Sequence, residues 1–159
     1  MTSDDVMRDT VKHVQRVGLL LMDVTSRLQY RAIMHDASKF SEEEWASFVA
    51  ATPKLASMTY GSDEYRKTLK TIQPAIKIHY SRNSHHPEHY ANGIADMTLL
   101  DLMEMLCDWK AASERHNDGD LRHSIEHNAE RFGYDHNMKR LLYLTAEYLG
   151  WTQSKESKV

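Results

Sequence analysis

The chain has 159 residues, 41% hydrophobic and 27% charged, with a formal net charge of −3. That is enough for one domain with a real core, and the weak acidity excludes a general nucleic-acid-binding surface. A single cysteine, Cys107, excludes an intramolecular disulfide and suits a reducing compartment. The start of the chain is acidic, and its apolar stretch from Val17 to Met22 stops at Asp23, too short to cross a bilayer. A soluble, cytoplasmic protein with no membrane contact is the expectation. Ten histidines are present, four of them between positions 79 and 89, a density that suggests metal binding or proton transfer.

The periodicity is helical almost throughout, and no alternating pattern runs long enough for a strand. A first helix is expected from Ser3 or Asp4 to about Ser26, with Val14, Val17, Leu21 and Val24 along one apolar stripe and His13 beside it. A second covers about Leu28 to His35, and a turn follows through Phe40. Ser41-Glu-Glu-Glu44 matches a capping box and opens a helix to about Ala51, which Thr52-Pro53 should end. After a loop to Gly61, Ser62 can cap a helix from Asp63 to about Asn83, broken or kinked before Pro74. Ser84 to Gly93 is a polar, histidine-rich connection. Asp96 or Thr98 caps an apolar helix to about Arg115. Asn117 to Asp120 is a turn, and Asp120 caps a helix that stops at Phe132-Gly133. A last helix runs from about His136 to Leu149. The expected fold is all-α: one domain over 1–153, a bundle of six to seven helices, with 154–159 a frayed polar tail.

One helix carries unusual chemistry. At about 100° per residue, Asp101, Glu104 and Asp108 fall within an arc of about 60°. Leucines, methionines, Cys107 and Trp109 fill most of the remaining circumference. Carboxylates near a core need a partner or a cation. The strip is either an exposed edge, paired with arginines such as Arg27 or Arg31, or the wall of a metal pocket with at least Asp108 pointing in. Met97, Met103 and Met105 read as core filler.

His35-Asp36 lies at the end of a helix, where the chain turns and both side chains can converge on one ion. With His13 before it and Asp108 after it, the order resembles the HD-domain superfamily of metal-dependent phosphohydrolases. That pattern is an early His, a His-Asp dyad and a distant Asp on a later helix. The likeness extends toward the binuclear subgroup related to cyclic-dinucleotide phosphodiesterases, through His35-Asp-Ala-Ser-Lys39, His79 and His85-His-Pro-Glu88. It spans positions 13 to 108. Two features depart from that subgroup: Tyr90-Ala-Asn-Gly93 stands where a Gly-Tyr-Pro element would, and His79 and His85 are closely spaced.

The resemblance implies an HD-like helical fold and a metal held by His13, His35, Asp36 and Asp108. A second metal would use His79, His85 and His86, with Asp36 bridging. Manganese, iron, cobalt, nickel and zinc all suit such donors. The implied activity is hydrolysis of a nucleotide or related phosphate ester by metal-activated water, with Lys39 and Arg82 on phosphate oxygens and Glu88 or Glu104 moving the proton. The alternatives are a di-iron oxygenase of the same fold and a non-catalytic metal- or nucleotide-binding module. His116, His123, His127 and His136 read as surface residues, and the role of His89 stays open. A homo-oligomer is possible through Trp151 and the last helix, which otherwise cap the core.

Overall fold

The computed structural model describes residues 2–58, 62–115 and 119–152. Among these residues all regular structure is helical: α1 (Ser3–Met34), α2 (Glu42–Ala56), α3 (Asp63–Thr71), α4 (Gln73–Arg82), α5 (Leu99–Ser113), α6 (Leu121–Phe132) and α7 (His136–Tyr148). Short 3-10 turns at Ala37–Phe40, Pro87–His89 and Gly93–Asp96 join them. The all-α expectation of six to seven helices therefore holds. Among the described residues, no helix is long and apolar enough to cross a membrane. The chain divides into two units, Met1–His35 and Asp36–Val159.

The first unit is α1 alone. Thr2 and Asp5 form a capping box at its start. Two helices were expected here, but one continuous helix of 32 residues forms. Neither glycine nor proline interrupts the expected boundary near Arg27, and an Asp23–Arg27 pair at 3.0 Å spans it. None of the helix's residues is buried, and Val14, Val17, Leu21 and Val24 are all at least 40% exposed.

In the second unit, Asp36 adopts a left-handed conformation (φ +56°), which turns the chain out of the helical path. Ser41 is the N-cap of α2, as expected, but its side chain makes no capping hydrogen bond. Glu44, the other half of the anticipated box, is instead wholly buried. Nor does Pro53 end α2. It lies in the last turn, where little helix remains to be lost, and Ser57 closes the end by donating N–H and Oγ–H to the Lys54 carbonyl. The anticipated break before Pro74 is present at Ile72, between α3 and α4. Ser62 caps α3 through the Tyr65 N–H at 3.1 Å. Positions 117 and 118 of the expected turn, and the tail at 154–159, lie outside the described residues.

The main core joins Leu102, Met105 and Leu106 of α5 to Leu121 and Ile125 of α6 and Leu142 and Ala146 of α7. Met97 and Trp151 pack against it, so Trp151 covers the core. Burial of each large aliphatic side chain here contributes about 1.5–3 kcal/mol. Gly133 ends α6 at φ +66°, where a Cβ would be strained. Gly133→Ala should lower the unfolding free energy by about 1 kcal/mol in urea titration.

Asp101 is the polar anchor of this unit. Fully buried, it accepts from Ser84 Oγ (2.6 Å), Tyr90 Oη (2.9 Å), Thr98 N (2.8 Å) and Thr98 Oγ1 (2.6 Å). Burial alone would raise its pKa, but these donors outweigh it and hold the carboxyl well below the usual range. It thus ties the connection at 84–90 to the first turn of α5. Asp101→Ala should lower the unfolding free energy by about 3 kcal/mol, because several donors lose a charged acceptor at once. The wild-type contribution is present above the ordinary carboxylate pKa near 4. It is lost as pH falls from there toward the folded value, which the variant's stability-versus-pH curve should reveal by its flatness in that window.

Candidate metal centre

Three segments of the second unit meet at one place. Asp36 comes from the turn before the first 3-10 segment, His79 from α4, and His85 and His86 from the loop that Asp101 anchors. Ligand-capable atoms of Asp36, His79, His85 and His86 all lie within 4.8 Å of one another. Ring centroids are 4.1 Å apart for His85–His86 and 4.9 Å for His79–His86. His79 and His85 are 3% and 2% exposed, so the centre is closed to bulk water on their side.

The hydrogen bonds fix which ring nitrogens face inward. His79 Nδ1 is 2.9 Å from Glu44 Oε2, and His85 Nδ1 is 3.0 Å from Glu104 Oε1. With the carboxylate as acceptor each Nδ1–H donates, and Nε2 is the ring nitrogen turned inward. Those two Nε2 atoms lie 3.2 Å and 3.5 Å from Asp36 Oδ1, and His79 Nε2 lies 3.0 Å from His86 Nε2. Burial, then the neighbouring His85 and His79, push the His86 imidazole down to about 3, so it is neutral near pH 7. Three imidazoles and a carboxylate thus turn ligand-capable atoms toward a common point. A carboxylate behind each ligating imidazole is the arrangement that orients histidine on a metal. The donor set fits a divalent transition metal.

Around this point the packing is polar and specific. Asn83 Nδ2 donates to the His79 carbonyl (2.7 Å) and to Ser38 Oγ (2.7 Å), while Ser38 Oγ donates to Glu44 Oε2 (3.2 Å). Lys39 Nζ pairs with Asp36 Oδ2, and its ammonium lies 5.5 Å from the Phe48 ring centroid.

The expected ligands are thus sorted by the fold. His79, His85, His86 and Asp36, anticipated for a second metal, come together. Asp108 is half-buried on α5, and its negative charge acts on His86. His13 is exposed on α1 and belongs, with His35, to the first unit; His35 is bonded directly to Asp36 at the end of that helix. Glu104, anticipated as a proton carrier, lies 3.0 Å from His85 Nδ1. Glu88 was expected at the reacting centre; it is exposed and pairs with Arg131 at 2.6 Å. Arg82 was expected on substrate; it donates to Ser41 Oγ (3.1 Å) and to Glu43 Oε1 (3.2 Å), holding Glu43 down to about 2. Both lie on the surface because short helical segments carry them outward while their neighbours turn in. His123, His127 and His136 are exposed, as anticipated; His116 is outside the described residues. Sequence reasoning missed Glu44, whose only visible signal was its place in an apparent capping box.

The chain belongs to a family of unknown function, DUF5662, which matches residues 2–154. No curated protein and no solved structure matches it.

Proposed function

We propose that this protein is a metal-dependent phosphohydrolase whose metal is held by Asp36, His79, His85 and His86. One observation carries the reading: both buried imidazoles use Nδ1–H on a carboxylate, Glu44 or Glu104, which leaves Nε2 turned toward Asp36. A divalent metal bound there would polarise a phosphoryl oxygen and lower the pKa of a water. The protein's own residues do the rest. Glu44 and Glu104 keep the imidazoles in the ligating tautomer. Lys39, paired with Asp36, fixes one carboxylate oxygen and adds positive charge where phosphoryl transfer gathers negative charge. Asp108 lies close enough to His86 for its charge to bear on the ring, and so can receive a proton near the reacting atoms. The order of His35, Asp36 and Asp108 along the chain supports the phosphohydrolase class through its resemblance to HD-domain enzymes.

The test is elemental analysis of protein purified without chelator, followed by assay of phosphate mono- and diesters with added manganese or cobalt. Near-stoichiometric metal and turnover that chelation abolishes are the expected results. Absence of metal under every loading condition would overturn the reading. A second reading has its own support: three histidines and one aspartate are enough to close a tetrahedral structural site. In that case metal would be bound and chelation would lower the melting temperature, yet no phosphate ester would turn over.

A further inference from the structure

On the outer side of α4 lies a cleft of about 540 Å3 that shares a wall with the metal centre. That wall is Tyr80, whose ring centroid is 4.7 Å from that of His86. Leu69, Ile76 and Tyr80 give the cleft apolar sides, and Lys77, His89 and Arg131 add nitrogen-bearing side chains to its lining. Its size and its mixed apolar and cationic lining suit a small organic anion. The polar groups are also selective. Lys77 and Arg131 supply two positive charges, one of them partly offset by Glu88 at 2.6 Å. His89 Nδ1 donates to the Tyr80 carbonyl at 2.9 Å, which leaves Nε2 as its other polar atom.

We propose that this cleft binds a small organic phosphate, its charged oxygens on Lys77 and Arg131 and its apolar body against Leu69, Ile76 and Tyr80. Near pH 7 a phosphate ester is largely a dianion, and its two charges spread over three oxygens can meet both cations, whereas a carboxylate brings a single charge. This binding does not rest on the phosphohydrolase reading above.

The test is calorimetric titration of the purified full chain with phenyl phosphate, alongside phenol, benzoate and inorganic phosphate. Phenyl phosphate should bind at least about tenfold more tightly than each of the other three. Lys77→Gln and Arg131→Gln, both at exposed positions, should each weaken it about tenfold. Equal affinity for benzoate, or unchanged affinity in both variants, would overturn the proposal. In Asp36→Asn, checked for helical content by circular dichroism, phenyl phosphate affinity should stay within about twofold of wild type. Binding lost in Asp36→Asn but kept in both cation variants would put the ligand on the metal, overturning the cleft and leaving the metal reading intact. Absence of metal with phenyl phosphate binding retained would do the reverse.

Discussion

His79→Ala should strip the protein of its metal and leave it less stable than wild type under metal-replete conditions. The imidazole is buried, its Nδ1 is held by Glu44, and its Nε2 lies within 3.2 Å of both Asp36 Oδ1 and His86 Nε2. Loss of one donor in four should reduce metal affinity by about a hundredfold or more, as read by competition with a chromophoric chelator. Stability follows from linkage: metal at about one hundred times its Kd stabilises the native state by about 2.7 kcal/mol, and the variant would forfeit most of that. The melting temperature of wild type should therefore rise on metal addition while that of His79→Ala stays flat. His123→Ala, at an exposed position on α6, should behave as wild type in both measurements. A variant at His79 that retains full metal content would remove the centre described above.

Why His79 and its neighbours could be suspected from sequence, but not ranked, follows from what is local. Caps are local, and Ser62, Thr98 and Asp120 all do at their helix starts what their side chains suggest. The break at Ile72 and the stop at Gly133 likewise follow from residues within a few positions. The continuity of α1 was missed because the apolar stripe fades near Arg27, although nothing there breaks a helix. Pro53 misled because its cost depends on how much helix follows it, which one residue does not reveal. At the site, the crowding of histidines at 79–89 was visible, and so was the acidic strip of α5. Which member of that strip does what was not. Asp101 turns back to cap its own helix, and Glu104 holds His85. Only tertiary packing decides between those fates.

Glu44 is the sharpest instance, and it yields a second prediction with a large effect. Its sequence context, Ser41-x-x-Glu44, reads as a reciprocal cap, a role in which glutamine serves as well as glutamate. Its structural role is different: 35 positions before His79 in sequence, it is fully buried and bonded to the Nδ1 proton of that ring. As a cap, Glu44→Gln should be almost silent. As the partner of a ligating imidazole, the same change removes the negative charge that makes His79 a stronger donor, while Gln Oε1 can still accept the Nδ1 proton. Glu44→Gln should then lower metal affinity by about tenfold with little change in metal-free stability, and Glu44→Ala by up to about a hundredfold. In the alanine variant the ring is free to flip and present the wrong nitrogen, so reduced affinity would come with slower and incomplete metal loading. Metal titrations of the two variants against wild type distinguish the roles, because a capping defect moves the unfolding curve and not the metal affinity. Equal affinities in all three proteins would leave Glu44 as a buried acid with no part in ligation.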